Sequence, residues 1–96
     1  MNTDNGNNNI VLSSGNIVVL RNGLVGAVGC FNGKPSWLIF KSYINTLSKY
    51  NDELRHKNTQ YDVMRVYDGS TVDNVDNVFK GGFSTDGMEI IWERKE

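Results

Sequence analysis

One cysteine, one proline and one histidine are all that this 96-residue chain holds of three residue types that staple, break or catalyse. Cys30 alone closes no intramolecular disulfide, so nothing calls for an oxidising compartment. Together with His56 it is too small a set for a structural zinc site, which takes four ligands. No apolar run approaches the roughly 20 residues that span a bilayer, and MNTDNGNNN has neither the basic nor the apolar region of a signal peptide. The expected location is therefore the cytoplasm. An excess of one charge is also missing, because ten Lys and Arg face eleven Asp and Glu. Without a basic surplus, nucleic acid is not the expected partner, nor is a membrane.

A hydrophobic fraction of 39% is enough for one small core, and the length leaves no room for a second domain. Residues 1–9 are asparagine-rich and without periodicity, and read as a disordered leader, with 10–96 as the single domain. From Ile10 onward, apolar runs alternate with turns. IVLSSGNIVVLRNG ends in Asn22-Gly23, a pair that tolerates positive φ at both positions and suits a two-residue hairpin. LVGAVGCF carries Gly26 and Gly29 inside a strand pattern, the mark of a bulge, a bend or a close backbone approach. After a turn at 32–35, SWLIFK places Trp37 and Ile39 on one strand face and Leu38 and Phe40 on the other.

The segment LSKYNDELRHKNTQYDVMRVY, 47–67, is different. Leu47, Tyr50 and Leu54 fall at i, i+3 and i+7, which predicts a short helix, and the run then passes through a polar loop into a strand. Tyr61, Val63, Arg65 and Tyr67 are expected on one face of that strand, with Met64 and Val66 on the other. Val72, Val75 and Phe79 predict a second helix stopped by Gly81-Gly82, and MEIIWER a last strand. The fold class expected is mainly β: a small SH3-like antiparallel barrel of about five strands with one or two short helices, whose closure would hide the strand edges.

SGNIVVLRNG, then SYINTLSKYNDEL, then YDVMRVYDG resemble a group of small proteins encoded by bacteria and their phages. In that group a G-D-I-V-x-L-R-N-G strand leads into a Y-N-x-D-L segment and a D-I-x-x-V-Y strand. The resemblance covers most of the chain after Leu12 and implies the barrel and a phage or mobile-element setting. It brings no catalytic residue, because the group has no common activity. At Asn16 the chain departs from the pattern, where an aspartate is usual.

Catalysis finds no constellation. Cys30 with His56 is the one Cys/His pairing, and Cys30 sits between Gly29 and Phe31 as a buried strand thiol would. Asp68, Asp73, Asp76 and Asp86 miss the spacing of a calcium loop, and NGKPS and KGGF miss that of a phosphate loop. Adjacent Asp52 and Glu53 would diverge on a helix. The expectation is a protein that is not an enzyme and holds no cofactor or metal.

Binding remains. Arg65 with Tyr67 and Tyr61 on the fourth strand, and Tyr50, Arg55, His56 and Lys57 in the segment before it, combine guanidinium forks with aromatic faces. With Trp37 they are the candidate ligand-binding residues. Packing explains each of these tyrosines and a solvated face each basic residue equally well. Three readings follow. The first is a non-enzymatic, phage-type anti-defence protein that sequesters a small nucleotide-like immune signal or inhibits a host defence protein, with a homo-oligomer able to build a ligand site between subunits. The second is an inhibitor of a nucleic-acid-binding effector such as a CRISPR nuclease, through an acidic patch of Asp52, Glu53, Asp73 and Asp76. The third is an SH3-like structural or interaction module.

Overall fold

Turn chemistry and two tight glycines set the first half of the sheet. The computed structural model describes residues 10–69, 73–81 and 84–95. Strand β1 (Ile17–Leu20) runs into β2 (Val25–Phe31) through a four-residue connection. There Gly23 alone takes positive φ, and the Asn22 side chain accepts the Leu24 N–H. The two-residue turn expected at Asn22-Gly23 occurs instead at Asn32-Gly33, between β2 and β3 (Lys34–Phe40), where φ is 51° and 77°. Another two-residue turn, with Ser42 at positive φ, leads into β4 (Tyr43–Thr46), a stretch to which the sequence pattern assigns no element. Strand β5 (Val63–Tyr67), helix α1 (Asp73–Lys80) and strand β6 (Ile90–Glu93) complete the chain.

All six strands form one antiparallel sheet in the order β4-β3-β2-β1-β5-β6. The mainly β expectation holds. Closure does not, because β4 and β6 end the sheet as two separate four-residue edges. Alternation along β1 and β2 gives the sheet two apolar faces. Val18, Leu20, Val28, Leu38, Phe40, Val63 and Val66 lie on the first, which the 47–61 segment covers with Leu47, Tyr50, Leu54 and Tyr61. Ile17, Ala27 and Tyr67 lie on the second, which α1 covers through Val78. Val78 is the buried helix residue and Phe79 stays 41% exposed, so the helical stripe is rotated from the one expected; Val72, Gly82 and the 1–9 leader lie outside the described residues. Gly81, at φ 86°, ends the helix by donating its N–H to the carbonyls of Asn77 and Val78.

Strand β5 departs from simple alternation. Val18 faces Val66 and Val19 faces Arg65, but Leu20 faces Val63, so Met64 is bulged out of the β1 ladder. The bulge puts Val63 and Val66 on the same face, and the expected grouping of Tyr61 and Val63 with Arg65 and Tyr67 fails.

The strand glycines mark close approach. A Cβ on Gly26 would lie 2.6 Å from the buried Phe40 ring, with no flexible end to give way. Gly26→Ala is therefore expected to destabilise by about 2 kcal/mol, read from urea unfolding.

Candidate functional site

The 47–61 segment is not a helix. It opens with a 3-10 turn at Leu47–Lys49, doubles back so that Tyr50 bridges His56, and closes with a second 3-10 turn at Thr59–Tyr61. Asparagine side chains explain this. The Asn51 carbonyl oxygen accepts the N–H groups of Glu53 and Arg55, and that of Asn58 accepts the Gln60 N–H, offering the backbone local partners that compete with a helical ladder. Leu54 takes φ 60°, a left-handed conformation that costs about 1 kcal/mol in a residue with a Cβ. Its side chain is buried in the first core face, which offsets that strain.

At the centre of the fold-back lies Asp62, fully buried. One carboxylate oxygen accepts the His56 N–H at 2.8 Å, and the other faces Arg21 at 3.1 Å and Arg55 at 3.5 Å. Around it, His56 sits edge-on between Tyr50 and Tyr61, each centroid 5.1 Å away. The Tyr50 hydroxyl donates to the Tyr61 carbonyl at 2.6 Å, and His56 Nδ1 accepts the Asn58 N–H, which leaves the proton of the neutral ring on Nε2. Tyr50, Arg55, His56 and Tyr61 are thus brought together, but the Tyr50 hydroxyl, the Arg55 guanidinium and His56 Nδ1 already hold internal partners. The arrangement locks a loop; it leaves few groups for a ligand. Lys57 lies exposed at its margin.

Burial, with smaller contributions from Tyr43, Asp62 and Tyr61, holds the Tyr50 hydroxyl well above its ordinary value. In the unfolded chain this group ionises near pH 10, so the stability it contributes is complete below about pH 10 and declines as pH rises beyond that. Tyr50→Phe is expected to lose about 1 kcal/mol at neutral pH. Its stability should also fall less steeply than that of the wild type above pH 10, which urea melts at neutral and alkaline pH would measure.

Arg65 and Tyr67 lie on the other face, as a separate pair: the Arg65 guanidinium donates to the Tyr67 hydroxyl at 3.1 Å and faces Glu93 at 3.9 Å. Beside them is a hollow of about 370 Å³ lined by Val19, Leu20, Gly23, Met64, Glu93 and the three arginines 21, 65 and 94. Arg21 and Arg94 already hold internal partners, Asp62 and the carbonyls of Glu53, Leu54 and Val63. Of the acidic residues considered together, Asp52 and Glu53 belong to the segment over the first face and Asp76 to α1 over the second. They make no common patch. Asp76 is also paired with Lys80 at 2.9 Å.

Trp37, 42% exposed, stands apart from all of these on β3, opposite Thr46 of β4. Ile39 faces Ile44 in the same register, and these two with Val75, Asp76 and Phe79 line a cleft of about 300 Å³ between the sheet edge and α1. Ile44 is 54% exposed, and Tyr43 beside it projects to the first face, stacked on Phe40 at 5.4 Å. β4 contains no charged residue and no proline. Sequence reasoning missed this edge because SYINT, between the third strand and the helix predicted from Leu47, is too short an apolar alternation to announce a strand. It missed Asp62 and Arg21 as well, though both lie within the stretches that carry the resemblance to the phage group.

Among the described residues no three His, Cys, Asp or Glu side chains are grouped to hold a metal ion, and no helix is long and apolar enough to cross a membrane. Comparison with protein-family models, with curated proteins and with solved structures returns no match to this chain.

Proposed function

We propose that this is a non-enzymatic binding protein of the phage anti-defence type, which inhibits a host defence protein by docking through β4 and the cleft beside it. The observation that supports this most directly is the uncharged edge: Trp37, Ile44 and Phe79 exposed around an edge strand on which the Asn45 side chain takes only the Thr46 N–H. Soluble proteins blunt such edges with lysine, proline or a bulge, and β4 has none of them. A partner that adds a strand there gains main-chain hydrogen bonds, while the cleft selects its apolar side chain. The anti-defence role rests on the resemblance to the phage group. A tagged chain incubated with lysate of a bacterial host should retain a defined protein that Ile44→Lys and Trp37→Ala both lose while keeping wild-type unfolding. Identical retention by all three would dismiss the β4 surface.

The three-arginine hollow beside Arg65 favours a second reading, sequestration of a small nucleotide-like signal, since guanidinium groups grip phosphate. Calorimetry with cyclic nucleotides and ADP-ribose derivatives tests it. Saturable heat abolished by Arg65→Ala supports it, and absence of heat removes it.

A further inference from the structure

Strand β4 pairs with β3 in an unbroken register: Phe40 with Tyr43, Ile39 with Ile44, Leu38 with Asn45 and Trp37 with Thr46. The pair that closes a two-residue turn exchanges hydrogen bonds, and bonded pairs alternate with non-bonded ones along an antiparallel ladder. Tyr43 and Asn45 therefore turn their backbone groups to β3, while Ile44 and Thr46 turn theirs away from it. On either side of Ile44 the next N–H along this edge is already engaged. Ser42 donates to the Phe79 carbonyl at 3.1 Å, and Thr46 donates to the Asn45 side-chain oxygen at 2.9 Å. The Thr46 hydroxyl in turn accepts the Ser48 N–H and opens the 3-10 turn, so the strand ends there.

We infer that Asn45 is an autoinhibitory guard on β4: its side chain holds the Thr46 N–H, so that an added strand pairs only at Ile44 until the asparagine swings aside. A strand laid against β4 makes two bonds at Ile44, and its next carbonyl has to displace the Asn45 oxygen from Thr46. That step trades one hydrogen bond for another, so Thr46 adds little net affinity. A strand with nothing more to offer gains only the Ile44 pair. A partner that also seats an apolar side chain among Ile39, Ile44, Val75 and Phe79 gains the cleft, and selectivity follows from that difference. Lysine or proline at a sheet edge guards it by staying in place. An asparagine that bonds its own backbone guards it reversibly, because rotation of the side chain releases the N–H. Thus β4 stays uncharged without being an open template.

The inference rests on the β4 docking reading, and two measurements keep their failures apart. Amide exchange with solvent, followed by NMR on the full chain, reads the guard with no partner present. Protection of the Thr46 amide, taken against the same residue in an unfolded peptide, should drop about tenfold in Asn45→Ala, while that of Leu38 inside the sheet keeps its value. Asn45→Asp, which leaves an acceptor in place, should retain the protection. Equal Thr46 protection in wild type and Asn45→Ala overturns the inference, whatever the chain binds. Retention from host lysate then reads the consequence. Asn45→Ala should bind the protein that Ile44→Lys loses about fivefold more tightly than the wild type does, the worth of one net hydrogen bond. Lost protection with unchanged binding of that protein overturns the inference and leaves the docking reading standing. If no chain retains an Ile44-dependent protein, the docking reading fails, and the exchange result alone decides whether Asn45 guards the edge.

Discussion

Asp62→Ala is expected to destabilise the protein by about 3 kcal/mol, a large share of what a domain of this size has to spare. In thermal unfolding that is a drop on the order of 15 °C. The reason is asymmetry. Asp62 has a side chain only 1% exposed, whereas those of Arg21 and Arg55 are 31% and 38% exposed. Water already screens the arginines, so deleting either one alone should cost about 1 kcal/mol or less. Deleting the carboxylate strands the His56 N–H and releases both cations together. Asp62→Asn, which keeps an acceptor for His56 and discards the charge, should fall between. Should all four variants unfold within about 0.5 kcal/mol of the wild type, Asp62 is not the organiser of the fold-back.

Arg94→Met is the second large effect, expected at about 3 kcal/mol in urea. The residue is 5% exposed and lies over the Trp92 ring, 5.1 Å from its centroid. It donates to the carbonyl of Val63 at 2.9 Å and to those of Glu53 and Leu54 at 2.6 and 3.2 Å. A single planar fork thus ties the fold-back to β5 from within the sheet's last residues. Methionine preserves the stem and strands the carbonyls. Lysine should recover less than half of the loss, because an ammonium cannot match three acceptors set for a fork. Hydrogen exchange gives a second readout. The Leu54 and Val63 amides, bonded to Asn51 and Leu54 carbonyls, should exchange much faster in Arg94→Met, while the β2–β3 hairpin is little changed. Uniform acceleration across the sheet would mean that Arg94 supports the whole fold and not this clamp.

What was legible in the sequence follows from which interactions are local. Alternation in β2 and β3, the Asn32-Gly33 turn, the tight glycines and the helix stop at Gly81 all depend on neighbouring residues, and each is visible in the order of residues. Leu47, Tyr50 and Leu54 do reach the core as their spacing suggested, but through a fold-back set by Asn51, Asn58 and a left-handed Leu54 instead of a helix. Apolar periodicity reports which residues are buried and is blind to the path of the chain between them. The Met64 bulge was equally hidden, because one unpaired residue reverses face assignments that strict alternation would give. Barrel closure failed for a topological reason, since nothing local says whether the first and last strands of a sheet meet. As for the candidate site, Tyr50, Arg55, His56 and Tyr61 come together in the fold-back, although the alternation pattern places Tyr61 beside Arg65 and Tyr67. Their common neighbour Asp62 reads from sequence as an ordinary strand-leading acid until Arg21 is known to face it.

The Arg21–Asp62 pair has a bearing on synthesis as well as on stability. Its members are separated by 41 positions, and β1 lies beside β5 for the same reason. A chain leaving the ribosome can assemble the β1–β4 meander from hairpins alone, long before the acid that engages Arg21 has been made. During that interval the inner strand β1 is a boundary strand, with Val18 and Leu20 awaiting Val66 and Val63. Nascent or truncated chains ending before residue 62 should therefore associate through β1, a hazard that the finished protein removes by inserting its fifth strand.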